Sequence, residues 1–298
     1  MSLFRRLFAP AAALLAFAGP TGARAPAASA ARPALWQVSD QDTTIYLFGT
    51  IHLLPPGYQW RSAKFDQALA NSQELVVETV VDLNNPTEIQ SAKMNLGFSR
   101  GLPPIIERVP PAKRALLRSV IAKTIYPEKV YNQMETWLAA LELLGVRLQQ
   151  MGLKGEQGPE QTLRLEFQAA KKPIGQLETN AEQLGYFDRL PEKAQRLLLE
   201  GSIDPPADMQ KDFAPMLSSW SRGDTKAIGI AFNRDLSGSP ALLDNLLKQR
   251  NAHWKDWIEQ RLATPGTVFV AVGAGHLAGS SSVINLLQKD GYKVRRLQ

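Results

Sequence analysis

The sequence contains no cysteine and only three histidines among its 298 residues. Without cysteine the folded chain has no disulfide, so a buried core must hold it together, and no lipid can be attached to a cysteine behind a leader. Beyond residue 30, no apolar run is long enough to span a membrane. The absences therefore favour a soluble protein that folds around its own core.

An excess of basic charge is also largely missing. The formal net charge is +6, but three of the 34 basic residues are arginines at positions 5, 6 and 24, in a segment without acids. The rest of the chain has 31 basic residues against 28 acidic ones, which is about +3. No run of lysine and arginine is interleaved with aromatic residues, so the sequence gives no support for a nucleic-acid partner.

The first thirty residues have the composition of a secretory signal peptide. Arg5 and Arg6 form a basic start, an apolar segment follows over residues 7–18, and Ala28-Ser29-Ala30 supplies an A-x-A cleavage site. We expect cleavage after Ala30 and a secreted or periplasmic mature chain of residues 31–298. An uncleaved membrane anchor is the alternative.

Strand-like segments lie near both ends of the mature chain, and helical periodicity fills its middle. The predicted strands cover residues 34–38, 43–48, 74–81, 173–178, 267–272 and 292–297, and the first two form a hairpin. A final helix is predicted over 279–289. The pattern predicts an α/β fold, in which a mixed sheet is built from both ends of the chain. No linker separates independent domains, so we expect one domain with a helical insertion over about 86–262.

Two of the three histidines share one local pattern, an apolar strand followed by Gly, two residues, His and Leu. The pattern occurs at Gly49-Thr50-Ile51-His52 and again at Gly273-Ala274-Gly275-His276. Residues just beyond the carboxyl ends of strands line the ligand crevice of an α/β sheet. A lone histidine there is more often structural, but its repetition favours a functional role for both. Glycines at these positions are expected to shape the backbone by a sharp exit or a close approach.

Glu78 is the third unusual residue, because it is an acid inside the apolar segment ELVVETVV. A buried carboxylate needs a cation, a metal ion or good hydrogen bonds. Two imidazoles and one carboxylate can form a mononuclear metal site with positions left for water and substrate. The same groups can act without a metal, with one histidine as general base and Glu78 orienting it. Simple pairing with an arginine also explains Glu78.

Familiar catalytic motifs of other classes are missing. There is no H-E-x-x-H, no G-x-S-x-G and no S-x-x-K. GAGHLA matches a loose dinucleotide-binding pattern, but no acid follows it at the position that would bind a ribose. His253, in RNAHWKDW, is expected to be a packing or surface residue. Arg250 and Asn251 either bind a carboxylate or carbonyl of a substrate or belong to an exposed helix start.

Taken in order, the main segments resemble the TraB/GumN family. The matching segments are LWQVSDQDTTIYLFGTIHLLP, ELVVETV, KKPIGQLETNAEQL, RNAHW and FVAVGAGHLAGSSSVINLLQKDGYKV. The family is related to the Tiki proteins, which are metal-dependent proteases, and more distantly to erythromycin esterases and haem-binding ChaN proteins. The resemblance implies that His52, Glu78 and His276 form one site for a divalent ion such as manganese, cobalt or zinc.

The resemblance also implies roles for four further residues. Glu160, in Gly158-Pro159-Glu160, matches an acid at a helix start, and Glu178 matches the acid of a Leu-Glu pair. Arg250 and Asn251 match the Arg-Asn pair that precedes the last strand of the motif series. All four are expected to contact substrate, and Glu160 or Glu178 is expected to supply a general base.

The sequence thus predicts an exported, divalent-metal-dependent hydrolase that acts on a peptide or another acyl bond. One alternative is a periplasmic ligand-binding protein, with haem as the ligand because two histidines are available. Another is an envelope or exopolysaccharide-associated protein without catalysis. The helical segment over 134–150 is amphipathic enough for a core or for a dimer contact, so the oligomeric state stays open.

Overall fold

The computed structural model describes residues 31–55, 57–81, 86–151, 158–236 and 239–298. The predicted signal peptide lies outside these residues. The described chain forms a mixed six-stranded sheet with the strand order β4-β3-β5-β2-β1-β6. Its strands are β1 (Leu35–Ser39), β2 (Thr43–Thr50), β3 (Glu74–Val77), β4 (Ile174–Gln176), β5 (Gly266–Gly273) and β6 (Val294–Arg296). The predicted α/β fold, with a sheet built from both ends of the chain, is confirmed.

Strand direction decides where a site can form. β1 pairs antiparallel with β2, as the predicted hairpin requires, and β6 pairs antiparallel with β1. The carboxylate of Asp40 accepts the amide of Thr43 at 2.8 Å and so stabilises the hairpin turn. The pairs β2–β5, β5–β3 and β3–β4 are parallel. The carboxyl ends of four strands therefore meet at one edge of the sheet.

β3 is shorter than the sequence predicted. The prediction of a strand over 74–81 with an acid inside it is wrong, because the strand ends at Val77. The amide of Gly273 on β5 donates to the side-chain Oε1 of Glu78 at 2.7 Å. The side chain of Glu78 therefore accepts the β5 amide that the backbone of a longer β3 would need as its hydrogen-bond donor. Glu78 consequently lies just beyond the carboxyl end of β3 rather than within the strand.

The last helix also begins later than predicted. α13 covers Val283–Lys289, and the predicted helix over 279–289 is too long at its start. Gly279 has a left-handed φ of +85°, which is incompatible with an α-helix. Ser282 provides the N-cap, because its side chain accepts the amide of Asn285.

Helices cover both faces of the sheet. Side chains alternate along β5. Val268 and Val270 face α12 (Gln249–Leu262) and α13, while Phe269 and Ala271 face α1 (Ala63–Asn71) and α6 (Pro159–Ala169). The other helices are α2 (Thr87–Leu96), α3 (Arg114–Ile121), α4 (Glu128–Tyr131), α5 (Thr136–Gln150), α7 (Asn180–Asp188), α8 (Glu192–Ser202), α9 (Pro206–Ser221), α10 (Thr225–Leu236) and α11 (Pro240–Leu243).

The helical middle of the chain has an apolar core of its own. Trp137, Leu138 and Leu143 of α5 are fully or almost fully buried there, together with Leu198 and Leu199 of α8. The segment over 134–150 therefore contributes to a core within this chain. Among the described residues, no helix has both the length and the apolar content that a membrane span needs.

Candidate functional site

Polar side chains follow each of the four parallel strands at the shared edge of the sheet. His52 comes two residues after β2, Glu78 directly follows β3, and Glu178 lies two residues beyond β4. His276 lies on a single 3₁₀ turn, Ala274–Leu277, that follows β5. Because these strands are parallel, their side chains converge on one crevice. The structure thus brings together the three residues of the predicted centre.

His276 is buried and held in one orientation. Its Nδ1 lies 2.6 Å from Oδ1 of Asn251, whose amide nitrogen donates to the carbonyl of Ser281 at 2.7 Å. Since the amide nitrogen is committed, Oδ1 must accept, and His276 carries its proton on Nδ1. Its Nε2 is left as an acceptor that faces Arg250 Nη1 at 3.2 Å. Burial, and then the charge of Arg250, lowers the pKa of His276 to about 3.

His52 has the opposite electrostatic setting. Its Nδ1 lies 2.7 Å from Oε1 of Glu160, an oxygen that also accepts from the hydroxyl of Thr50. The imidazole is 55% exposed, but it opens onto a cleft. Desolvation opposes protonation, yet the attraction and hydrogen bond of Glu160 outweigh it and raise the pKa of His52 to about 9. His52 in turn lowers the pKa of Glu160, although the burial of Glu160 acts in the opposite direction.

The start of α6 brings Glu160 to His52. Gly158 precedes the helix, and a Cβ there would lie 2.1 Å from the carbonyl oxygen of His52. Only glycine allows this approach, because the blocking atom is backbone. Pro159 then occupies the first turn, and Glu160 follows it. The Gly-Pro-Glu sequence therefore sets the distance between the acid and the histidine.

Glu78 and Glu178 share one arginine as their ion-pair partner. Nη2 of Arg250 lies 2.5 Å from Glu78 Oε2 and 2.5 Å from Glu178 Oε1. The three side chains are between 4% and 10% exposed, so the ion pairs are shielded from water. Although burial opposes ionisation, Arg250 and then the two histidines lower the pKa of Glu78. Burial raises the pKa of Glu178 despite the opposing effect of Arg250.

Gln183 completes this network and was missed by the sequence analysis. Its Nε2 lies 3.3 Å from Glu78 Oε2 and 3.1 Å from Glu178 Oε1. The segment TNAE could have indicated it, because Thr179 and Glu182 form a capping box at the start of α7. That cap fixes the helix start, and Gln183 follows in the first turn.

A gap between the strand ends is surrounded by the three predicted centre residues. A Cβ on Gly273 would lie 3.2 Å from Glu78 Oε1, 3.7 Å from His52 Nε2 and 3.6 Å from His276 Cδ2. The missing side chain of Gly273 leaves this space open. Gly49 and Gly275 allow close packing instead. A Cβ on Gly49 would press on Ala274, and a Cβ on Gly275 would press on the ring of Phe232.

The donor set fits a divalent ion in its chemistry. Two imidazoles and a carboxylate are common ligands of zinc and manganese. Each imidazole is held through Nδ1 by an oxygen acceptor, the arrangement usual for metal-bound histidines. Within the described residues no group of three His, Asp or Glu side chains is placed to hold an ion. Arg250 pairs with Glu78 and faces His276. An ion held by His52, Glu78 and His276 would need the Glu78–Arg250 pair to loosen.

The site opens into a cleft of about 740 Å³. His52, Glu78, Glu160, Arg250 and His276 form its polar end. The remaining walls are mainly aliphatic and aromatic, with side chains from α5, α7 and α10. The volume lies in the range of small-molecule sites in proteins.

Glu178 and Asn251 lie behind the lining residues. The exposed third histidine, His253, is 3.1 Å from the hydroxyl of Tyr186 through Nδ1 and does not line this cleft.

The two histidines should give stability an optimum near neutral pH. The folded pKa of His276, about 3, lies below the ordinary value of about 6.5, so the unfolded chain binds the extra proton as pH falls below 6.5. The raised pKa of His52 acts in the other direction. Its contribution to stability is fully present below pH 6.5 and is lost as pH rises through about 9. We expect the free energy of unfolding to fall by about 1 kcal/mol per pH unit from 6.5 to 5 because of His276.

Urea titrations at a series of pH values measure this slope. His276→Ala should remove most of the acid-side slope, whatever it does to stability at pH 7. An identical slope in the wild type and in His276→Ala would contradict the buried, neutral histidine.

Comparison with known proteins gives a family and two relatives. The sequence model of the TraB/PrgY/gumN family matches residues 34–296. The uncharacterized protein YbaP of Escherichia coli strain K12 is 26% identical over 246 residues, which is 82% of this chain and 87% of YbaP. YbaP of Shigella flexneri gives the same figures. No solved structure matches the chain significantly. Since the family match spans nearly all of the described fold, including every residue of the site, this protein belongs to the TraB/PrgY/gumN family.

Proposed function

We propose that the protein is an exported, divalent-metal-dependent hydrolase that cleaves a peptide or another acyl bond. One observation carries the proposal. Nδ1 of His52 and Nδ1 of His276 are each held by an acceptor, so each ring turns its other edge toward Glu78. His52 Nε2 borders the gap beside Gly273, and His276 Nε2 lies 4.0 Å from Glu78 Oε1 and 3.2 Å from Arg250 Nη1. A purely structural histidine does not need its second nitrogen directed into a cleft.

His52, Glu78 and His276 are the residues that would hold the ion. A divalent ion supplies Lewis acidity, which polarises a carbonyl and lowers the pKa of water toward neutrality. Glu160 and Asn251 keep the two imidazoles in the required tautomer. In this reading Asn251 positions His276 and Arg250 controls the charge on Glu78, in place of the substrate contacts expected from sequence.

Hydrolysis adds the oxygen of water to the acyl carbon, breaks the bond to the leaving oxygen or nitrogen, and moves one proton of the water to the leaving group. Of the two candidate general bases, Glu160 lines the cleft and Glu178 does not. The pKa of Glu160 is lowered by His52, against the effect of its burial, so it is ionised at neutral pH. As a weak base it would need the ion to lower the pKa of the water before it could accept a proton. We assign the role of general base to Glu160.

Without a metal ion, the same side chains can still act as an acid and a base. The pKa of about 9 keeps His52 protonated at pH 7, so it can donate to a leaving group. The pKa of about 3 makes His276 a weak base. For this reason the metal-dependent form is the stronger proposal.

The apolar cleft also favours a second candidate function, the binding of a hydrophobic ligand without catalysis. Haem is the ligand to test first, because two histidines face the cleft. A Soret shift that saturates at one haem per chain, with no hydrolysis of any substrate, would support this candidate instead.

The experiment that tests the proposal is a hydrolysis assay on the purified protein. The substrates are a peptide library and a series of nitrophenyl esters, each with and without manganese, cobalt or zinc. We expect turnover of at least one class, lost on chelation and restored by one of the ions. No hydrolysis by folded, ion-supplemented protein would contradict the proposal.

A further inference from the structure

Most of the apolar part of the cleft is built from helices, and Ile51, Leu53 and Val81 from the segments after β2 and β3 add to it. Leu141, Leu144 and Leu148 of α5 line it at the spacing of one helical face. Leu184 and Phe187 of α7 also line it, and so do side chains of α10 and of the turn after α11. A ligand that passes the polar end of the cleft therefore contacts helix side chains over most of its length.

This wall offers few main-chain partners to a ligand. In an α-helix the backbone amides and carbonyls bond to one another, so a helical wall cannot satisfy the amides of an extended peptide. Each unpaired amide buried against leucine side chains would weaken binding. An aliphatic chain has no polar groups to satisfy and gains from burial.

Gly145 lies on the same face of α5 and has no role in the packing of the described residues. It is in the interior of a 15-residue helix, where glycine is less favourable than alanine. Its φ is not positive, and no described atom lies within 4 Å of the position that its Cβ would occupy. Gly145 nevertheless lines the cleft. The missing side chain leaves room beside the leucines at the expense of helix stability.

We propose that the acyl part of the substrate is an unbranched aliphatic chain that lies along α5 past Gly145, with its carbonyl carbon at the polar end of the cleft. The inference rests on the proposed hydrolase function and names its substrate class: long-chain acyl esters or amides. Gly145 is the specificity-determining position, because any larger residue there projects into the space of the chain.

Binding of the carboxylic acid product tests the proposed acyl-chain site without requiring turnover. Isothermal titration of the purified protein with butanoate, hexanoate, octanoate and decanoate measures how affinity depends on chain length. Each added methylene should strengthen binding by about fourfold, the gain expected for full burial of that group. Trileucine provides the peptide comparison and should bind more weakly than decanoate.

Variants at Gly145 locate the chain. Leu165→Phe is the matched control, because Leu165 is exposed on α6 and does not line the cleft, and it should keep the wild-type dependence on length. Gly145→Phe and Gly145→Leu should weaken decanoate binding at least tenfold and leave butanoate binding unchanged. Thermal unfolding checks that all three variants are folded. If one of the two large variants is unstable, the other still provides the test.

The outcomes separate the two proposals. Affinity that is independent of chain length, or tighter binding of trileucine, would overturn the acyl-chain inference even if short esters are hydrolysed. A fourfold gain per methylene that Gly145→Phe removes supports the inference even if no substrate is turned over, in which case the hydrolase proposal alone fails.

Discussion

Under the proposed function, replacing His52 with alanine should lower the rate of acyl-bond hydrolysis by at least about 100-fold, because it removes a ligand of the ion that would supply several kcal/mol of transition-state stabilisation. His52 is 55% exposed and bonds only at its Nδ1 edge to Glu160. The free energy of unfolding should fall by about 1 kcal/mol, because Glu160 loses a charged partner that is itself largely exposed. His276→Ala should lose as much activity but also about 1–3 kcal/mol of stability, because it leaves Asn251 and Arg250 buried with one partner fewer.

The third histidine supplies the matched control. His253 is exposed on α12 and contacts the hydroxyl of Tyr186 rather than the cleft. His253→Ala should keep the wild-type kcat/KM. Turnover at the wild-type rate by His52→Ala, measured at equal stability, would end the proposal that this histidine belongs to the catalytic centre.

Replacing Arg250 with methionine will destabilise the protein by about 3–5 kcal/mol at pH 7, the cost of leaving a buried charge without its partner. Two carboxylates, Glu78 and Glu178, lose their cation together, and both are at most 10% exposed. Total stability of a domain is about 5–15 kcal/mol, so the loss is a large fraction of it. At pH 5 the deficit should shrink, because protonation of the orphaned carboxylates relieves it.

An exposed ion pair provides the comparison for Arg250. Arg196 pairs with Glu192 one helical turn away, and both side chains are at least 35% exposed. Arg196→Met should cost less than about 1 kcal/mol. In the Arg250→Met background, Glu178→Gln should recover part of the lost stability, since it removes one uncompensated charge. Equal effects of Arg250→Met and Arg196→Met in urea titrations would contradict the buried network.

Much of the fold could be predicted from the sequence because the strands at the centre of the sheet are largely apolar, and most strands lie toward the two ends of the chain. Continuous apolar segments such as VFVAV are typical of strands buried on both faces, and β5 is such a strand. The end of β3 could not be predicted in the same way. The apolar pattern continues past Val77, but the amide of Gly273, from a distant segment, bonds to the side chain of Glu78 rather than to the backbone of β3.

The candidate site was only partly predictable, for a related reason. His52 and His276 stand out because a short local motif repeats, and Glu78 stands out as an acid among apolar neighbours. Their partners are set by helices far away in the sequence. The roles of Asn251 and Gln183 depend on where α12 and α7 pack, which no local pattern encodes.

The measurement that tests the central claim most directly is the metal content of the purified protein by mass spectrometry. The wild type is compared with His52→Ala, Glu78→Ala and His276→Ala at matched stability. We predict one manganese, cobalt or zinc ion per chain in the wild type and none in the three variants. A wild-type protein that holds no ion, and gains no thermal stability when each of the three ions is added in excess, would contradict a metal site formed by these residues.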